Sequence, residues 1–155
     1  MLRSKTRRIV IPLDFLKTKV PGVKIVLADP VGSRLAHMVD SAHPDHDAGY
    51  QVEGIGGSKA PAVLDLSVID AAERVSDEES FAMTVRPLQE EGLLGGGSSG
   101  TAIVAALRIA ARGGLDGPLV AILADSWDRY YSQPWMRQKR GAGELTGQRR
   151  TGQHE

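Results

Sequence analysis

Two continuous apolar runs constrain the fold of this chain more than any other feature. VKIVLAD at 23–29 and PLVAILAD at 118–125 carry apolar side chains at successive positions and are bounded by turn-forming residues. A strand with one wet face alternates polar and apolar residues, so an unbroken run reads as a strand buried on both faces. Between the runs, Ser76-Asp77-Glu78-Glu79 forms a capping box, which predicts a helix running to about Glu91 and stopping at Gly92. Pro87 inside that helix removes one backbone hydrogen bond and predicts a kink. Ala102 to Arg112 places Ile103, Val104, Leu107 and Ala110–Ala111 at helical spacing, and Gly113–Gly114 end it. Phe15 to Val20 reads as the end of a helix. Tyr50 to Glu53 reads as a short strand, and a further strand is expected around Val68–Ile69 or Arg74–Val75. Strands alternating with helices, and almost no hairpin pattern, predict an α/β fold: a partial parallel, Rossmann-like sheet with flanking helices. Ligands of such sheets bind beyond the carboxyl ends of the strands. Three loops are candidates for that edge: GIGG at 54–57, GGGSSG at 95–100 and ADS at 124–126.

A length of 155 residues suits about one domain, and 41% hydrophobic with 25% charged residues is an ordinary globular composition. There are no cysteines, which excludes disulfides, thiolate zinc sites, iron–sulfur ligation and a cysteine nucleophile. No apolar run approaches the roughly 20 residues of a membrane helix. The opening MLRSKTRRIVIPLDFL is broken by Pro12 and Asp14 and makes a poor signal peptide, so a soluble, cytoplasmic protein is expected. The net charge of zero conceals a partition: basic residues dominate 1–24 and 137–155, and acidic residues dominate the middle. On charge alone the ends suit an acidic partner or nucleic acid. No aromatics interleave with those charges as a stacking surface requires, so solvated ends are the better reading and nucleic acid is not expected as a partner. Residues 1–14 match no pattern, and 137–155 have almost nothing to bury and are expected to be a disordered basic tail.

The motifs differ in weight. GGGSSG satisfies the string GxGxxG, but a dinucleotide fingerprint needs a strand directly before it, and here a capped helix precedes. Ser98 has Gly96 and Gly100 on either side, as in a nucleophile elbow, yet the preceding strand is missing and no histidine follows before His154. His37, His43 and His46 with Asp45 and Asp47 could suggest a metal site. They lie in the most irregular stretch, Pro44 breaks any helical spacing, and no metal is expected. Local physics supports a plainer role for the glycine run. Opening a helix, it exposes unpaired backbone donors and admits a ligand closely, or it is only a tight turn before a cap. Ser98 or Ser99 can cap the helix and offer a neutral hydroxyl.

VKIVLADPVGS, YQVEGIGG with APAVLD, SDEESF, EEGLLGGGSSG and ILADS resemble, in that order, the second half of pyridoxal-phosphate-dependent β-replacement enzymes. These form the cysteine synthase and cystathionine β-synthase family, fold type II. The resemblance spans about 15–136, and the aspartate of ADS and Trp135–Met136 are closer to the cystathionine β-synthase branch. It implies pyridoxal 5'-phosphate as cofactor, with Ser98 facing the pyridine nitrogen and Gly97 in the same turn. It also implies Gly54 and Gly56 beside cofactor and amino-acid substrate, and Asp125 and Ser126 near the ring edge. A hydroxyl at the nitrogen leaves the ring neutral, which suits β-elimination and restrains transamination, whereas a carboxylate would keep it protonated.

The sequence also departs from the family. The Schiff-base lysine and the asparagine loop for the substrate carboxylate belong to the first half, and no glycine–threonine phosphate loop precedes Phe15. Lys59 is a remote candidate for a substitute amine, since a working amine must be placed as well as near. The expected function is therefore β-replacement on serine or an activated serine by an incomplete half. It would act with a complementary amino-terminal half or as a homo-oligomer. The alternatives are a truncated paralogue or a non-catalytic binding module that keeps the fold.

Overall fold

The computed structural model describes residues 13–136, so the expectation for the tail at 137–155 and most of 1–14 lie outside the described residues. Within it the chain divides into two compact units, one built from 13–50 and 55–74, the other from 51–54 and 75–136.

The first unit carries helix α1 (Leu13–Lys19), strand β1 (Val26–Pro30), a five-residue helix α2 (Leu35–Val39), a 3-10 turn at Leu66–Val68 and all but the last residue of strand β2 (Ala71–Val75). β1 and β2 pair in a small parallel sheet. Of the two positions expected for the second strand, the chain uses the one containing Arg74–Val75. Asp70 fixes the entry to both strands. Its carboxylate accepts from Lys17 Nζ at 2.7 Å and from the Ile25 amide at 2.7 Å, and its own amide donates to the Ile25 carbonyl. The Lys17 ammonium and the Ile25 amide hold the Asp70 carboxyl below its ordinary range.

At the far end of β1 the DPVGS turn does similar work. Fully buried Asp29 accepts from the Ala36 amide at 2.8 Å and so satisfies a free donor at the start of α2. Burial pushes its carboxyl up, against the pull of Ser33 and Ala36. Ser33 Oγ donates to the Gly57 carbonyl and accepts the Gly57 amide at 3.0 Å, which holds the GIGG loop against the turn. The helix α2 was not expected from the polar sequence. The histidine stretch that follows is tied to backbone, with His37 Nδ1 2.7 Å from the His43 carbonyl and His43 Nε2 3.2 Å from that of Ala72. Among the described residues no group of three His, Asp or Glu is arranged for a metal.

The second unit is built on two helices, α3 (Asp77–Glu91) and α4 (Gly97–Arg112), followed by a 3-10 turn at Trp127–Tyr130. α3 starts and stops where the sequence predicts. Ser76 Oγ accepts the Glu79 amide, Glu79 reaches back to the Ser76 amide, and Gly92 closes the helix in the left-handed conformation at φ 70°. α4 starts earlier than expected, taking in Gly97 to Thr101. Its glycines are tolerated because α3 lies against them: a side chain on Gly100 would meet the Ser80 carbonyl oxygen at 2.0 Å. Beside that contact the buried hydroxyls of Ser80 and Thr101 share a hydrogen bond at 2.8 Å. Phe81 stacks on Trp135 with ring centroids 4.5 Å apart, and the Tyr130 ring is tilted against Trp135 with centroids 5.8 Å apart. Val52, Val75, Val104 and Met136 complete the core.

Two expected strands are not formed. Tyr50 to Glu53 is irregular, and in the second unit the Gln51 and Val52 amides donate instead to the carboxylate of Asp77. PLVAILAD forms no strand among the described residues, and Val120 and Ile122 are 79% and 59% exposed. An apolar sequence can specify a strand, but only neighbouring strands supply its hydrogen bonds. Among the described residues no helix is long and apolar enough to cross a membrane.

Candidate active site

The turn into α4 and the segment after PLVAIL meet in the second unit. Gly95 and Ser126 form an isolated antiparallel bridge, the Gly96 amide donates to the Asp125 carbonyl at 3.3 Å, and the Trp127 amide donates to the Leu94 carbonyl at 3.2 Å. This clasp fixes Asp125 beside the start of the helix. The approach requires a glycine, since a side chain on Gly96 would lie 2.4 Å from Asp125 Oδ1 and 2.5 Å from the Tyr130 ring.

Three side chains converge there. Ser98, half-buried in the first turn of α4, donates from Oγ to Asp125 Oδ1 at 3.4 Å. The other carboxylate oxygen accepts a hydrogen bond from the hydroxyl of buried Tyr130. The bond from Ser98 is long, so its hydroxyl is held loosely, while Tyr130 gives the carboxylate a second partner. Asp125 keeps its charge partner in the protonated state: the hydrogen bond to its carboxylate, then burial, push the Tyr130 phenol up to about 12.

That shift gives a direct test. The folded state holds the Tyr130 proton more tightly than the unfolded chain. The bond therefore stabilises the fold fully below the ordinary tyrosine value of about 10. Its contribution is lost as pH rises from there through about 12. Asp125→Asn is expected to return the Tyr130 titration toward about 10, read as phenolate absorbance with Tyr130→Phe subtracted to remove the other tyrosines. An unchanged titration would show that Asp125 does not hold the phenol.

The other sequence candidates are placed as follows. Gly97 is buried, and the space a side chain would take is filled by Phe81 Cε1 at 3.0 Å and Val52 Cγ1 at 3.6 Å, so it serves packing. Gly54 sits exposed at φ 84° with open space at its Cα, at the end of the segment anchored by Asp77. Ser126 is exposed and takes part through its backbone bridge to Gly95. Gly56 and Lys59 belong to the first unit. Gly56, at φ 75°, has the Tyr50 hydroxyl and Pro30 2.7 Å from where a side chain would begin, and Lys59 is exposed. Sequence reasoning missed Tyr130 and Asp77. The signal for Asp77 was present, as an acid in the first turn of a capped helix. Tyr130 gave none beyond being an aromatic shortly after Asp125.

The comparisons with known proteins converge on one family. Residues 13–125 match the family model described as pyridoxal-phosphate dependent enzyme. Cystathionine β-synthase of Mus musculus is 43% identical over 129 residues, which cover 80% of this chain and 23% of that protein. The O-acetylserine dependent cystathionine β-synthase of Bacillus subtilis is 40% identical over 120 residues, 77% of this chain and 37% of its own length. The solved structure of the O-acetylserine dependent enzyme of Helicobacter pylori superposes with a TM-score of 0.65 at 34% identity, covering 78% of this chain and 37% of that one. The chain thus spans about a quarter to two-fifths of the length of these relatives. It belongs to the family of pyridoxal-phosphate dependent enzymes, and within it the chain is similar to cystathionine β-synthases and, in fold, to cysteine synthases of fold type II.

Proposed function

We propose that this chain supplies the ring-nitrogen side of a β-replacement site that acts on serine or an activated serine. The observation that carries the reading is the Ser98–Asp125–Tyr130 cluster at the glycine turn. Its chemistry fits the cofactor of the family. A half-buried hydroxyl that can donate or accept suits a pyridine nitrogen, and the turn around it leaves no bulk beyond glycine. Bound pyridoxal 5'-phosphate supplies an electron sink that allows a leaving group at the β-carbon of an amino acid to depart and a thiol to replace it. This chain's own residues orient and hold. With the cofactor bound, Ser98 would give up its long contact to Asp125 and donate its hydroxyl to the unprotonated ring nitrogen, while Tyr130 holds Asp125 in place. Gly54 keeps the end of the Asp77-anchored segment open to an amino-acid substrate.

The amine and the phosphate anchor are not among these residues. One hydrogen bond from Ser98 contributes roughly 0.5–1.5 kcal/mol, far short of micromolar binding. Mixed alone with pyridoxal 5'-phosphate, the chain is expected to show the absorbance of free cofactor, with nothing trapped on protein after borohydride reduction. Cofactor trapped on Lys59 or another lysine, with turnover of serine, would overturn the incomplete-site reading. With a polypeptide that carries the amine and the phosphate loop, exchange of the β-substituent is expected, and Ser98→Ala should lower it by about tenfold, the equivalent of one lost hydrogen bond.

A further inference from the structure

We propose that Asp116–Gly117 is a site of covalent modification, where the peptide link isomerises to isoaspartate and makes the chain a substrate for methyltransferases that act on that carboxylate. The inference is independent of the cofactor reading. The chemistry needs a carboxyl group on one residue and an accessible backbone nitrogen on the next. The Gly117 nitrogen attacks Cγ of the Asp116 carboxylic acid. A C–N bond forms, the Cγ–OH bond breaks, and the hydroxyl leaves with the amide proton as water, closing a five-membered succinimide. Water then adds to a ring carbonyl. Addition at the Asp116 backbone carbon leaves the chain running through Cβ and Cγ, with a free carboxylate on Cα and no change in composition. That carboxylate can take a methyl group from a sulfonium donor, which departs as a thioether.

Asp116 is the only aspartate in the sequence that a glycine follows, and there is no asparagine to give the same product by loss of ammonia. The loop after α4 supplies the freedom the ring closure needs. Gly113 ends the helix, and Gly113 and Gly114 take φ of 71° and 74°. The chain then bends at Asp116–Gly117, where both residues are exposed, and a side chain on Gly117 would meet nothing within 4 Å. Nitrogen and Cγ must rotate into contact, which a packed backbone forbids and this open, glycine-rich turn permits. Other aspartates are held. The Ala48 amide, which follows Asp47, donates to the Gly32 carbonyl at 2.9 Å. The Asp40 carboxylate accepts from the Ala42 amide at 2.9 Å, and that of Asp125 accepts from Ser98 and Tyr130. Each of these bonds ties down a nitrogen or a carboxyl that would have to react.

The test is to hold the full chain for several weeks in warm neutral buffer, digest it with trypsin and follow the peptide 113–129. A second peptide of identical mass is expected, with electron-transfer fragments that place the β-linkage at 116. Endoproteinase Asp-N should no longer cut that form before 116. A purified isoaspartyl methyltransferase with labelled S-adenosylmethionine should label the same peptide. Gly117→Val shields the nitrogen with a branched side chain and should lose most of the product. Asp116→Glu, which would have to close a six-membered ring, should lose all of it. Both changes fall in an exposed loop, so melting should match that of the parent chain. In urea the product should also appear at Asp47, once the Ala48 amide is released. A folded chain that yields no isoaspartate at 116, yields it first at Asp40, Asp47 or Asp125, or yields as much in Gly117→Val would overturn the proposal.

Discussion

Gly100→Ala is expected to destabilise the second unit by about 3 kcal/mol or more, and to lower the melting temperature by roughly 10 °C. At fixed backbone the new methyl group would sit 2.0 Å from the Ser80 carbonyl oxygen and 2.9 Å from its carbon. Backbone cannot rotate aside as the end of a long side chain can, so α3 and α4 would have to separate. That separation would also pull apart the Ser80–Thr101 hydrogen bond and the Phe81 face beneath Gly97. The opposing effect is small, because alanine in a helix interior is favoured over glycine by only about 1 kcal/mol. The clash decides the sign. Gly117→Ala is the control, with nothing within 4 Å of the new methyl and a backbone open to other residues, so it should leave stability within about 0.5 kcal/mol. Equal melting temperatures for the two variants would show that the helices do not cross as closely as described.

The same glycine shows where sequence reasoning stopped. GGGSSG reads locally as a break, since each glycine disfavours helix, and the helix was expected only from Ala102. α4 nevertheless begins at Gly97, because close packing on α3 outweighs local propensity and needs residues without side chains there. A single chain cannot reveal this, because the partner surface lies some twenty residues earlier. The capping box and Gly92 were legible because their signals are local and the contacts that realise them span a few residues. β1 was legible as an unbroken apolar run, though it begins at Val26 and not at Val23. PLVAIL carries the same signal without forming a strand, since pairing depends on a neighbour that hydropathy cannot report. In the site, the order of motifs marked Ser98 and Asp125 separately. Their contact across 27 positions, and Tyr130 behind it, emerge only when the clasp at Gly95 and Ser126 closes.

Ser98→Asp is expected to make stability fall as pH rises, by roughly 1–3 kcal/mol between pH 4 and pH 7.5 relative to Ser98→Asn. The new carboxylate would stand where Ser98 Oγ lies 3.4 Å from Asp125 Oδ1, and Tyr130 prevents Asp125 from turning away. Two negative charges about 4 Å apart repel by about 4 kcal/mol at an effective dielectric of about 20, and partial exposure reduces this. The start of α4 works in the other direction, since a helix N-terminus favours an anion by about 0.3–1 kcal/mol. Repulsion is the larger, so the pair should take up its last proton above the usual carboxylate range in the folded state. A carboxyl raised in the folded state stabilises the protein below its unfolded value, near 4, and that contribution is lost as pH climbs through the folded value. Denaturant titrations at the two pH values measure the difference directly, and Ser98→Asn carries the same bulk without the charge. Stability that instead rises with pH would mean that the helix terminus dominates and that the side chains at 98 and 125 do not face one another. The expected sign bears on the cofactor reading as well. Below that folded value a carboxyl at position 98 would share one charge with Asp125 and could not act as an independent anion beside a pyridine nitrogen. In this chain the clasp that orients the serine also opposes its replacement by an acid.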